Sequence, residues 1–145
     1  MPDGRLGLID YGQVKEIDLA TRVELATLIN YLAKGNSDKV IEHFKKMGFK
    51  SQKMDKWVVE KTAVIYFDRC DRKTTEGLNL QLFLDKLTAT DKTDVFPEEH
   101  LFAARTSLLL RGLGTILGHP VSTATAWLPF ARGILLQSPN TPALQ

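Results

Sequence analysis

The sequence has a single cysteine, Cys70, which excludes an intramolecular disulfide framework and any cysteine-cage metal site. It also lacks an apolar run of the ~20 residues that cross a bilayer; the longest, Ser107 to Gly118, is interrupted by Arg111. Charge of one sign is scarce. Nineteen basic side chains against 17 acidic ones leave a net charge of +2, too little to argue for nucleic acid, and no nucleic-acid partner is expected. Met1-Pro2-Asp3-Gly4-Arg5 has neither the apolar stretch of a signal peptide nor the Arg/Ser-rich, acid-poor character of a transit peptide. With 43% hydrophobic and 25% charged residues, the 145-residue chain has the balance of an ordinary soluble chain, one modest domain or a piece of a larger one.

The apolar run Arg5 to Ile9, the turn Asp10-Tyr11-Gly12 and the alternating Gln13 to Ile17 predict a short β-hairpin over residues 5–17. From about residue 18 the period becomes helical. Leu25, Leu28, Ile29 and Leu32 share one face of a helix that starts near Asp18 or Thr21 and stops at Gly35. Ser37 suits the N-cap of a second helix carrying Val40, Ile41, Phe44 and Met47, with Gly48 as its terminator. A third is expected from about Asp55 to Cys70, and a shorter one around Leu80, Phe83, Leu84 and Leu87. The polar stretch from Thr88 to Val95 is expected at the surface. Pro97 suits a helix start. The apolar segment from Leu101 to Leu117 predicts a central buried helix, broken at His119-Pro120. A last helix is expected from about Ser122 to Gln137, kinked at Pro129, with residues 138–145 as a flexible tail.

One motif carries recognisable chemistry. Leu8-Ile9-Asp10-Tyr11-Gly12 sets a carboxylate at the end of an apolar strand, before a glycine that permits a sharp turn. In protein-kinase-like folds an Asp-Phe-Gly carboxylate in this setting holds Mg²⁺ against nucleotide phosphates, because the ion needs hard oxygen ligands held in strict geometry. The tripeptide alone is also an ordinary hairpin turn. The longer segment Gly4-Arg5-Leu6-Gly7-Leu8-Ile9-Asp10-Tyr11-Gly12-Gln13-Val14-Lys15 resembles the metal-binding segment of the aarF/UbiB family of atypical kinases. The helical hairpin turned at Gly35-Asn36 and the late run Leu108-Leu109-Leu110-Arg111-Gly112-Leu113-Gly114 agree with that resemblance.

The resemblance implies that Asp10 is the Mg²⁺ ligand and Gly12 the hinge glycine, the two residues of a nucleotide-cofactor site. It further implies ATP as nucleotide and a role in ubiquinone or related isoprenoid-lipid metabolism, in mitochondria, plastids or bacteria. Family members place an Ala-rich nucleotide loop, a lysine–glutamate pair and a catalytic loop with Asp and Asn ahead of this segment. Only nine residues precede Asp10 here, so no catalytic residue is assigned. The expected chain is then mainly α: residues 1–137 form part of a kinase-like C-lobe with a short N-terminal β-hairpin, inactive unless a nucleotide lobe is supplied. The alternative is a non-catalytic helical module that binds a protein partner or a membrane surface.

Other groupings take plainer readings. Gly112, Gly114 and Gly118 lack the preceding strand of a dinucleotide site and are expected to let two helices approach closely. His43, His100 and His119 are too far apart in sequence for a helical metal-ligand pair. Asp68, Cys70 and Asp71 read as a solvated helix end with a small buried thiol. Six lysines against three acids between Glu42 and Lys61 suit either solvated helix faces or an anionic membrane surface.

Overall fold

The computed structural model describes residues 14–137. Within them the chain is mainly helical. The helices are α1 (Leu19–Ala33), α2 (Ser37–Lys46), α3 (Lys56–Phe67), α4 (Leu80–Thr90), α5 (Leu101–Ile116) and α6 (Thr123–Gln137). Two short antiparallel strands, β1 (Lys50–Ser51) and β2 (Thr93–Val95), pair Lys50 with Val95 and Ser51 with Thr93. A 3-10 turn at Glu98–His100 leads into α5.

Four helices begin at an Asp or Asn whose side-chain oxygen accepts from the third residue on, as the unpaired N–H groups of a first turn require. Asp18 accepts from Thr21 N, Asn36 from Lys39 N, Asp55 from Val58 N and Asn79 from Leu82 N. The second cap therefore lies one residue before the expected Ser37. That hydroxyl donates instead to Glu60 on α3. Gly35 and Gly48 stand at φ +66° and +100°, the left-handed geometry that ends α1 and α2 as expected.

Residues 5–13 of the expected hairpin, with Asp10 and Gly12, lie outside the described residues. Its second arm from residue 14 onward is not a strand. The small sheet forms elsewhere, where Thr93–Val95, expected as polar surface, lies exposed against β1. α3 stops at Phe67 rather than Cys70 because Asp68 turns away, its carbonyl accepting from Thr123 N at 2.9 Å. α6 runs helical through Pro129. The expected tail at 138–145 lies outside the described residues.

The core gathers Leu28, Ile29 and Leu32 of α1, Phe44 of α2, Val59, Ala63 and Phe67 of α3, and Ala131 and Leu135 of α6 around the loop residue Phe49. A smaller cluster joins Val58 and Ile65 to Phe83 and Leu87 of α4. α1 packs most extensively against α6.

The expected central buried helix is reversed. α5 buries only Ala103, Ala104, Ser107 and Arg111. Leu109, Leu110, Leu113, Ile116 and Leu117 face outward, Ile116 being 83% exposed. Small residues on the inner face let α5 lie close to α3, so Arg111 reaches the Ile65 carbonyl. The leucines are left on the opposite side. The nearby glycines do not serve helix approach either. A Cβ on Gly114 would lie 2.6 Å from the His119 carbonyl oxygen, so this glycine makes room for the turn that closes α5, and around Gly112 an added methyl meets nothing within 4 Å.

Candidate functional site

The sequence-predicted site residues, Asp10 and Gly12, lie outside the described residues, and the structure neither joins them to other groups nor separates them. The end of the same segment is in view. Lys15 Nζ donates to Glu99 Oε2 at 2.7 Å and stands 6.0 Å from the Phe102 ring centre, so the chain just after the motif is tied to the 3-10 turn that leads into α5 and lies beside Phe102 at the helix start. Among the described residues no group of three or more His, Cys, Asp or Glu side chains could hold a metal. One carboxylate at position 10 supplies a fraction of the six oxygens Mg²⁺ takes. The described side chains do not complete such a site.

A denser polar arrangement lies where the end of α3 meets α5 and the start of α6. Asp68 is buried. Its Oδ2 accepts from Arg69 Nε at 2.8 Å and its Oδ1 from the Ser122 hydroxyl. Ser122 Oγ in turn accepts from Thr125 N at 3.1 Å and so caps α6. Deeper in, Ser107 and Thr123 hydroxyls bond at 3.0 Å. Arg111 donates from Nε to the Ser107 carbonyl at 3.2 Å and from Nη2 to the Ile65 carbonyl. Its Nη1, also buried, has no hydrogen-bond partner among the described residues. Leaving such a donor unpaired costs about 1–3 kcal/mol. Burial lowers the Arg111 pKa, while Cys70 and Asp68 nearby favour its charged form.

Beside this network a cavity of about 470 Å³ opens between Arg69 and Cys70 on one side and Leu108, Arg111 and Thr115 on the other. The expected roles of the α3 end are therefore exchanged: Asp68 is the buried group and Cys70 the exposed one. No local pattern shows this, because Ser122, the residue that draws Asp68 inward, lies 54 positions along the chain.

Two of the three histidines, distant in sequence, meet at one glutamate. His43 Nε2 lies 2.8 Å from the Glu24 carbonyl oxygen. His100, buried under α1, holds Nε2 3.5 Å from the Glu24 carboxylate without forming a hydrogen bond. Burial lowers both histidine pKa values from 6.5, against the Glu24 groups that favour the charged rings. In the window just below pH 6.5 the unfolded chain therefore binds protons that the folded chain refuses. Stability must rise with pH across that window and fall on acidification. The melting temperature is expected to be lower at pH 5.5 than at pH 7.5, with a smaller difference in His100→Gln. A flat thermal profile over that range in the parent chain would contradict it.

The chain matches no protein-family model, no curated protein and no solved structure.

Proposed function

We propose that this chain is the C-terminal lobe portion of a UbiB-like atypical kinase or ATPase, with Asp10 as its Mg²⁺ ligand and Gly12 as the hinge glycine beside it. The observation that carries the reading is the order of residue types from Gly4 to Lys15, in which Asp10-Tyr11-Gly12 follows an apolar run. The mainly helical body after it supports the reading, as do the α1–α2 turn at Gly35-Asn36 and the run from Leu108 to Gly114 on α5. Within that run Arg111 is the one side chain buried deeply enough to tie α5 to α3.

Bound Mg²⁺ would neutralise charge on the ATP phosphates. Asp10 would offer it one hard ligand, and the Lys15–Glu99 ion pair would fix the adjoining chain to the 3-10 turn that leads into α5. Phosphoryl transfer needs several groups positioned together, so these 145 residues are inactive without a nucleotide lobe. The family role that comes with this reading is in ubiquinone or other isoprenoid-lipid metabolism, in a mitochondrion, plastid or bacterial cell.

The test is Mg²⁺-dependent ATP turnover. The purified chain should show none. Mixed with a separately expressed UbiB-type nucleotide lobe that carries the catalytic-loop Asp and Asn, it should recover turnover, and Asp10→Asn should abolish what is recovered. Turnover by the chain alone, or recovered turnover that survives Asp10→Asn, overturns the proposal.

The outward leucines of α5 favour a second reading, a helical module that binds a protein partner or membrane surface with no catalytic step. Among the described residues no helix is long and apolar enough to cross a membrane, so membrane contact through these helices would lie at the surface. Nucleotide binding separates the two readings: only the first requires it once the missing lobe is present.

A further inference from the structure

The cavity between the end of α3, the face of α5 and the start of α6 brings together donors from three separate elements. Arg111, on α5, is 7% exposed and lines the cavity, and its Nη1 has no acceptor among the described residues. Buried donors in native proteins are satisfied by protein, water or ligand. Arg69, at the end of α3, lines the same space with only Nε committed to a carboxylate, while its Nη2 lies 3.5 Å from Ser122 Oγ. Ser122 opens the 15-residue α6 at this wall, adding the positive end of a helix dipole.

Two carboxylates stand near the same space: Asp71 lines it, and Asp68 is bonded to two residues that do. Asp68 is held by Arg69 and Ser122, and Asp71 accepts from Thr74 N at 2.7 Å. Their charge opposes a polyphosphate, which would add several negative charges beside them. A single phosphate group suits the donors better, because its oxygens can face the three elements at once, where a planar carboxylate has only two. Leu80, Leu108 and Val121 make the remaining wall apolar, and about 470 Å³ is a volume typical of small-molecule sites.

We propose that this cavity binds a phosphate monoester of a small apolar group, its phosphate held by Arg111 and Arg69 at the start of α6 and its organic part against Leu80, Leu108 and Val121. The site is independent of the Mg²⁺ ligand assigned to Asp10.

Cys70 provides the readout. It is the chain's one cysteine, it is exposed, and it lines the cavity, so the rate at which iodoacetamide alkylates it reports occupancy. Hexyl phosphate should slow alkylation by about fivefold at about four times its dissociation constant, as one-site competition requires. Inorganic phosphate should protect less at the same concentration, since it leaves the apolar wall unfilled. Arg111→Met should lose the protection. Arg69→Gln, at a partly exposed side chain that leaves the Arg111 bonds in place, should weaken it even if the first variant misfolds.

Vesicles containing phosphatidic acid distinguish the source. Slowing by both vesicles and hexyl phosphate assigns a lipid headgroup, slowing by hexyl phosphate alone assigns a soluble ester, and either supports the phosphate site. No protection by about 10 mM hexyl phosphate overturns the proposal, since that concentration would saturate even millimolar affinity. Equal protection by hexanol, or undiminished protection in Arg69→Gln, overturns it as well.

Discussion

Replacing Phe44 with alanine is expected to remove about 3–5 kcal/mol of folding stability, the range for deleting a fully buried phenylalanine. Phe44 is 0% exposed and sits where four segments converge. Its ring stacks on Phe49 at 4.7 Å and meets Phe67 and Phe96 edge-on, each at 6.0 Å. Phe67 and Phe96 also stack on each other at 6.2 Å. Truncation would thus leave a void bounded by three rigid rings drawn from α3 and two loops, and rigid walls collapse poorly into a void. Urea unfolding followed by circular dichroism measures the effect. The midpoint should fall with little change in slope, because the surface exposed on unfolding is nearly the same. Phe44→Leu should recover much of the loss. A Phe44→Ala midpoint within error of the parent would mean that the rings do not form the centre of the core.

Asp91→Ala should have the next largest effect, a fall in melting temperature of about 10 °C. Asp91 follows α4, yet it organises the loop before α3. Its carboxylate accepts from Ser51 Oγ at 2.6 Å, Lys53 N at 2.8 Å and Asp55 N at 2.9 Å. Between the last two lies Met54, held at φ +52°, a left-handed conformation costly for a residue with a Cβ. Bonds on both sides of Met54 keep it there, and the second of them positions Asp55 to cap α3. Without the carboxylate, three donors lose their acceptor and the loop can relax. Asp91→Asn keeps the shape and should cost less.

The charge matters as well. Burial raises the Asp91 pKa, but the bonds from Ser51, Asp55 and Lys53 outweigh it and bring the value below 3.8. The stabilisation from this ionised group is therefore full above the unfolded pKa and is lost as pH falls through the lower folded value. Thermal melts of parent and Asp91→Asn should consequently converge in strong acid. A constant gap from pH 7 down to pH 2 would rule out this account.

What could be read in the sequence follows the range of the interactions involved. The positions of α1 to α4 and α6 are legible because periodicity and terminators act within a few residues, as at Gly35 and Gly48. Even the misplaced cap, Asn36 for Ser37, is a choice between adjacent side chains, decided by Glu60 on another helix. Long-range partners were invisible. Nothing near Arg111 announces that the Ile65 carbonyl 46 positions away will hold it inside, so a leucine-dense segment reads as buried when its leucines face outward. The buried Asp68, the exposed Cys70 and the meeting of His43 and His100 at Glu24 depend on such distant contacts too. Of the phosphate cavity, the sequence showed its arginines and its cysteine but not their convergence. Asp10 and Gly12 stand on the motif alone.

The packing of α1 on α6 sets a timetable for the chain in the cell. All of residues 34–122 separate the two helices, so the face of α1 that carries Leu25 and Ile29 stays uncovered until Trp127, Ala131 and Ile134 have been made. At ordinary translation speeds of about 5–20 residues per second, that wait lasts roughly 5–20 s. Closure of so non-local a pair is also slow for a small helical body. Throughout the interval the nascent chain presents a sticky, half-finished surface, a natural client for a holding chaperone.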